Sequence, residues 1–296
     1  MANKKKIEWQ KALIYIVPSL IVLFIIAIYP TIYAIWSGFW DYNLHRPDQW
    51  VFVGFQNYLK LFSDSRFISS IGKTFLFTFV SVSGTMVLGF LMALLFQKSF
   101  KGKNTALALL TIPMVMAPVV SALIWRVFFF EPDVGIVNWL LSLIGVSGPY
   151  WVSSSPWALI AAITVNVWFM TPFVMLIMEA ALSGLPDETI EAAMIDGAGY
   201  WKRVWYIIIP LLKGTIIFTL IFRITIDYRM FDIVYTMTRG GPAFDTELLS
   251  LWVYNVALRT FEMGYANAGA VVMMILIGIT CLLIVLPVIR KKGELT

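Results

Sequence analysis

A chain of 296 residues that is 60% hydrophobic and 13% charged, with a mean hydropathy of +0.83, is too apolar for a soluble domain. Such a domain carries roughly 25% charge, because its outside must face water. The net charge of +5 does not point to nucleic acid, since the basic residues are scattered and form no basic face interleaved with aromatics. Cys281 and His45 are the only residues of their types, which excludes a disulfide framework, a thiolate metal site and a multi-histidine metal site within one chain.

Lys4, Lys5 and Lys6 precede an apolar stretch from about Ala12 to Trp36. It is too long for a signal-peptide core and no A-x-A cleavage site follows it, so it is expected to stay as an anchor. About 20 helical residues cross ~30 Å of hydrocarbon. Six stretches qualify, at about 12–36, 74–97, 105–128, 156–179, 206–230 and 265–288. Their continuous rather than alternating apolar character predicts helices, not barrel strands. The first connection, 37–73, is rich in aromatics. It ends in Gly72-Lys73-Thr74, which imitates a phosphate-binding loop, but Phe67 stands where that motif needs glycine. The segment 129–155 holds a short apolar helix around Ile136–Ile144, and 231–264 contains Gly240-Gly241-Pro242. None of these pieces is large enough for a catalytic domain.

Between the fourth and fifth stretches, residues 183–205 do not read as a linker. Ser183 is placed to cap a helix, Pro186 falls near the first turn, and Asp187 and Glu188 sit at the positive helix end. Ile190, Ala193, Met194 and Ile195 give an apolar face, and Gly197 is placed as a left-handed stop. A second short helix is expected from near Tyr200. A rigid helix of this kind suits docking into a groove on another protein. The alternative is a helix lying on lipid, against which Asp187, Glu188, Glu191 and Asp196 argue on an anionic leaflet. With both termini inside, twelve lysines and arginines fall in cytoplasmic pieces and five in outside loops, the bias that sets orientation.

Glu191-Ala192-Ala193, three residues, Gly197, nine residues, Ile207, one residue and Ile209-Pro210 resemble the E-A-A-x3-G-x9-I-x-L-P signature of ATP-binding-cassette importer permeases, with Ile209 in place of leucine. Phe52-Val53-Gly54-Phe55-Gln56-Asn57-Tyr58 is similar to the family's F-x-G-x-x-N-Y segment. Phe231-Asp232 followed by Thr238-Arg239-Gly240-Gly241-Pro242 is similar to the stretch after span five in the carbohydrate-uptake type 1 group. The resemblance implies an all-α, six-span permease of type I importer architecture, one domain over 1–296, multi-pass in the inner membrane of a bacterium or archaeon, with both termini cytoplasmic. It implies a sugar as substrate, a second homologous permease, two ATPase subunits that carry ATP and magnesium, and an extracytoplasmic solute-binding protein. This chain itself would then bind no cofactor, catalyse nothing, and otherwise touch lipid. Glu191, Ala192, Ala193, Asp196, Gly197, Ile207 and Pro210 would couple to the ATPase.

Span five also carries Arg223, Asp227 and Arg229 in an apolar setting. A charge at bilayer centre costs ~2.5–3.5 kcal/mol on insertion scales, so it has a partner or a task. Arg223 and Asp227 are spaced i to i+4, as a local ion pair would be. Equally, a carboxylate beside aromatic rings suits sugar hydroxyls. The resemblance to the maltose branch places Ile226, Asp227 and Met230 at sugar-contacting positions. Val167-Trp168-Phe169-Met170-Thr171-Pro172-Phe173 is similar to a V-W-x-x-x-P-[YF] stretch that places Phe169, Met170 and Phe173 on the pathway. Ordinary helix packing is the other reading of these aromatics. Two rival functions are weighed against the importer: a membrane-embedded enzyme, for which the ionisable residues make a poor set, and an ion-driven carrier, which has no use for the E-A-A signature.

Overall fold

The computed structural model describes residues 15–293, with side chains through Pro287. The N-terminal lysines and the basic side chains near the C-terminus therefore lie outside the described residues. Among the described residues the regular structure is helical apart from one two-stranded hairpin. In chain order, α1 is Tyr15–Ser37, β1 is Trp40–Asp41, β2 is Val51–Phe52, α2 is Gln56–Ser63 and α3 is Ser65–Phe96. Then follow α4 Lys103–Val115, α5 Pro118–Phe129, α6 Ile136–Leu143, α7 Trp157–Ser183 and α8 Asp187–Ile195. The last elements are α9 Tyr200–Leu211, α10 Lys213–Tyr228, α11 Asp232–Thr238, α12 Leu249–Leu258 and α13 Met263–Gly293.

Helices α1, α3, α7 and α13 are each long and apolar enough to cross a membrane. The third and fifth spans, expected as single stretches, are bent pairs: α4 with α5 at 101° and α9 with α10 at 71°. Six spans result, and each break has a chemical cause. Pro118 opens α5, and a residue before proline is pushed out of the helical region, so Ala117 is extended at φ −66°, ψ 137°. Pro210 brings no N–H and crowds the carbonyl four residues back. The turns before it widen to π geometry over Val204–Ile208, and the helix breaks at Leu212.

Two compact units can be separated, Met1–Ser65 with Val253–Met274 and Arg66–Trp252 with Ile275–Thr296. In the first, the hairpin pairs Trp40 with Phe52 and Asp41 with Val51. Asn57 explains the F-x-G-x-x-N-Y pattern: its Nδ2 donates to the carbonyls of Gly38 and Trp40, both at 3.0 Å. Gly54 supplies the left-handed turn at φ +57° that brings the chain back. Tyr265 then donates to Asp64 at 3.0 Å and Asn267 to Ser37 at 2.7 Å.

In the second unit, α3 and α7 approach closely at Gly89, where a Cβ would meet the Val174 side chain at 2.7 Å and the Met175 backbone nitrogen at 2.9 Å. Small residues allow such contact between membrane helices, where no hydrophobic drive separates protein from lipid. Gly89→Leu is expected to lower the amount of intact permease in membranes several-fold, read by quantitative immunoblot. A variant at wild-type level would show that the contact is not needed. Around it, Ala93, Leu94, Val174, Met178, Leu182, Val204, Ile208 and Leu212 form one buried apolar cluster that joins α3, α7 and α9.

Candidate functional site

Residues 183–205 fold as a helix, a turn and a helix. Ser183 is not the cap: it ends α7 and its Oγ bonds back to the Glu179 carbonyl at 2.9 Å. Pro186 occupies the cap position of α8 with ψ 121°, which turns the chain into the helix without a side-chain cap. Asp187 and Glu188 lie in the first turn, beside the free N–H groups.

The far end is a complete Schellman closure. Gly197 has φ +77°, its N–H donates to the Met194 carbonyl at 3.1 Å, and the Ala198 N–H donates to the Ala193 carbonyl at 2.9 Å. Arg203 Nη1 then donates to the Ala198 carbonyl at 2.7 Å, fixing the start of α9 against the turn. Ala193 faces inward and is buried, whereas Glu191, Ala192, Asp196 and Gly197 are exposed. Ile195, 88% exposed, leaves an apolar tip uncovered among the described residues. Ile207 is half-buried and Pro210 exposed, while Ile209 packs against the apolar cluster shared by α3, α7 and α9.

The pathway candidates separate into two faces. Phe173 of α7 stacks on Phe222 of α10, with ring centroids 5.2 Å apart and planes at 24°. Phe218, Phe222 and Ile226 follow one another at i, i+4 and i+8, so they share a stripe on α10. Phe218 and Phe222 are exposed and Ile226 half-buried. The two phenylalanines were missed by the sequence reading, although their spacing from Ile226 was enough to find them. Met170 is half-buried, and Phe169 and Met230 are buried.

Asp227 does not share that stripe. It and Arg223 are both 0% exposed. Arg223 Nη2 lies 2.8 Å from Asp227 Oδ1 and 2.9 Å from Oδ2. Asn166 of α7 donates from Nδ2 to the same Oδ2 at 3.2 Å. The carboxylate is thus shared between two helices and has no open side. Asn166, a lone amide in an apolar run, was also missed. A polar group inside a span is expensive enough to have been a signal.

A chain that is mostly membrane helices, with a rigid helix and turn joining two of them, is built as a membrane permease. Residues 85–290 match the family described as binding-protein-dependent transport system inner membrane component, and the chain belongs to that family. It is accordingly a permease of an ATP-binding-cassette importer, multi-pass in the inner membrane. Among its relatives are the trehalose/maltose transport system permease protein MalF of Thermococcus litoralis, 33% identical over 279 residues and covering 92% of each chain. The sulfoquinovosyl glycerol transport system permease protein SmoG of Agrobacterium fabrum is also 33% identical, over 281 residues, 95% of this chain and 91% of that one. A chain of the bacterial alginate transporter, solved with an alginate pentasaccharide-bound periplasmic protein, shares the fold with a TM-score of 0.80 at 21% identity, over 95% of this chain and 94% of that chain.

Proposed function

We propose that this chain forms one half of the pathway of an ATP-driven sugar importer, beside a second homologous permease, with two cytoplasmic ATPases and an extracytoplasmic solute-binding protein. The observation that carries the reading is α8 with its Gly197 closure, which holds the E-A-A residues on an exposed, stiff element. The substrate class rests on relatives named for trehalose, maltose and sulfoquinovosyl glycerol. Among the described residues none of the apolar window of helix α1 is buried, which leaves a face for lipid or for the second permease.

In this reading ATP and magnesium belong to the ATPases, and this subunit hydrolyses nothing. Residues 183–205 face the cytoplasm together with both termini. ATPase closure would push on α8, and the Arg203 bond and the apolar cluster would carry that push into α7 and α9. Phe173, Phe218, Phe222 and Ile226 would offer ring faces to the apolar side of a sugar. An ion-driven carrier would need a free buried charge in span five, and Asp227 is paired there.

Ala193 is buried, so the exposed neighbour is the better probe. Ile195→Cys in the intact importer is expected to crosslink to the ATPase, with a yield that changes between nucleotide-free and ATP-bound states. Crosslinks formed only with lipid or with extracytoplasmic partners would defeat the coupling assignment.

A further inference from the structure

Of the charges at the outer end of α10, Arg223 and Asp227 neutralise each other and Arg229 stands apart. It closes the helix, exposed, at the end of an otherwise apolar run. Spacing sets the face it occupies. Arg229 follows Phe222 by seven residues and Phe218 by eleven, close to two and three full turns, so it continues the stripe of ring faces. It does not share the face that buries Arg223 and Asp227. Thr225 lies on the same stripe, and its carbonyl accepts a hydrogen bond from Arg229 Nε at 3.0 Å.

That bond matters for direction. An arginine near a helix end ordinarily stretches to the nearer membrane surface. Here the side chain is tied four residues back along the span, the opposite way. The backbone under it is fixed as well. The N–H groups of Arg229 and Met230 donate to the carbonyls of Ile226 and Asp227, both at 3.1 Å, and Ser250 of α12 donates to the Met230 carbonyl at 2.5 Å. Among the described residues Arg229 has no ion-pair partner, and its two Nη groups make no hydrogen bond. Asp227 is taken by Arg223 and Asn166, and Asp232 opens α11 without pairing to it. An ionised group at membrane depth is expensive unless it meets water or a counter-charge.

We propose that Arg229 receives an anionic group of the transported sugar, a carboxylate, sulfonate or phosphate, while Phe218 and Phe222 cover the apolar side of the sugar ring. The substrate is then an acidic saccharide and not a neutral one. With Nε held by Thr225, the guanidinium keeps its Nη donors for two oxygens of such a group, and these bonds are charge-assisted. A neutral sugar would displace water from the arginine without supplying a counter-charge, which leaves a desolvated cation unpaired. Lysine would give a point charge without the fork, so the residue type suits a planar or multi-oxygen anion. The proposal rests on the importer reading above and names the substrate class for it.

The test uses the complete importer in proteoliposomes with the solute-binding protein that co-purifies with it. The probes are radiolabelled disaccharides bearing a carboxylate, a sulfonate or a phosphate, each beside its uncharged counterpart. Uptake per assembled complex is expressed as the ratio of variant to wild type for every probe, so the binding protein's own preference cancels. The wild type is expected to import at least one acidic probe. Arg229→Gln is expected to lower that probe's ratio about ten-fold below the ratio for its uncharged counterpart, with Arg229→Lys in between. Where only the acidic probe enters, recovery by Arg229→Lys and not by Arg229→Gln decides in favour. A wild type that imports only uncharged probes would overturn the proposal. So would equal losses for acidic and uncharged probes, or loss of assembly in Arg229→Gln, both of which mark a packing contact or a bond to the second permease. Acidic uptake at wild-type level in Arg229→Gln would overturn it too. An importer that hydrolyses ATP in response to its binding protein yet takes up none of the sugars would sink the sugar reading itself, and this proposal with it.

Discussion

Arg223→Leu alone is expected to cut the amount of assembled permease several-fold, and adding Asp227→Leu is expected to restore most of it. Removing one partner of a buried ion pair strands the other charge and costs about 3–5 kcal/mol, whereas replacing both by apolar residues of similar volume is often neutral. Both side chains are 0% exposed, so solvent cannot rescue the stranded carboxylate. Asn166 offers it one hydrogen bond at 3.2 Å, which does not replace a guanidinium. Uptake per assembled complex decides what the pair is for. A pair that only clamps α7 to α10 predicts near-normal uptake in the double variant, and the burial of Asp227 favours this outcome. Assembly restored with uptake still lost would return Asp227 to the sugar pathway, where the resemblance had placed it.

The two roles open to Asp227 mark the boundary of what one sequence discloses. The six spans were legible because roughly 20 apolar residues in a row have few other uses. The α8 turn was legible because Gly197 and the acids before it have local jobs that need no partner chain. Which way Asp227 points was not legible, since i to i+4 spacing fits both a pair and a pathway residue, and the third member, Asn166, lies 61 residues away. The two breaks were hidden for another reason. Pro118 and Pro210 stand in runs whose hydropathy continues through them, so composition reads one span where the backbone turns. Nor could spacing foresee that Arg66 of α3 pairs with Glu247, 181 residues along the chain.

Gly197→Val is expected to leave the permease in the membrane at normal abundance while abolishing most ATP-driven uptake, and Gly197→Asn is expected to keep much of it. The distinction between the two variants isolates backbone conformation. Among the described residues, no atom beyond Gly197 and its two chain neighbours lies within 4 Å of the position a Cβ would take there, so neither side chain starts from a clash. What differs is the tolerance for φ +77°: asparagine visits the left-handed region, while a β-branched residue there is strained by about 1–3 kcal/mol. Relief of that strain requires breaking the two Schellman bonds, from the N–H groups of Gly197 and Ala198 to the carbonyls of Met194 and Ala193. The Arg203 contact to the Ala198 carbonyl then loses its anchor, and α8 no longer points where the closure had fixed it. Because the site is exposed and lies outside the buried cluster of α3, α7 and α9, the fold of the spans should survive. The measurement is uptake per permease beside ATP hydrolysis per permease, in vesicles containing the whole importer. Continued hydrolysis with lost uptake in the valine variant supports a coupling role for the turn. Equal, full uptake in valine and asparagine variants would show that transport does not depend on this bend.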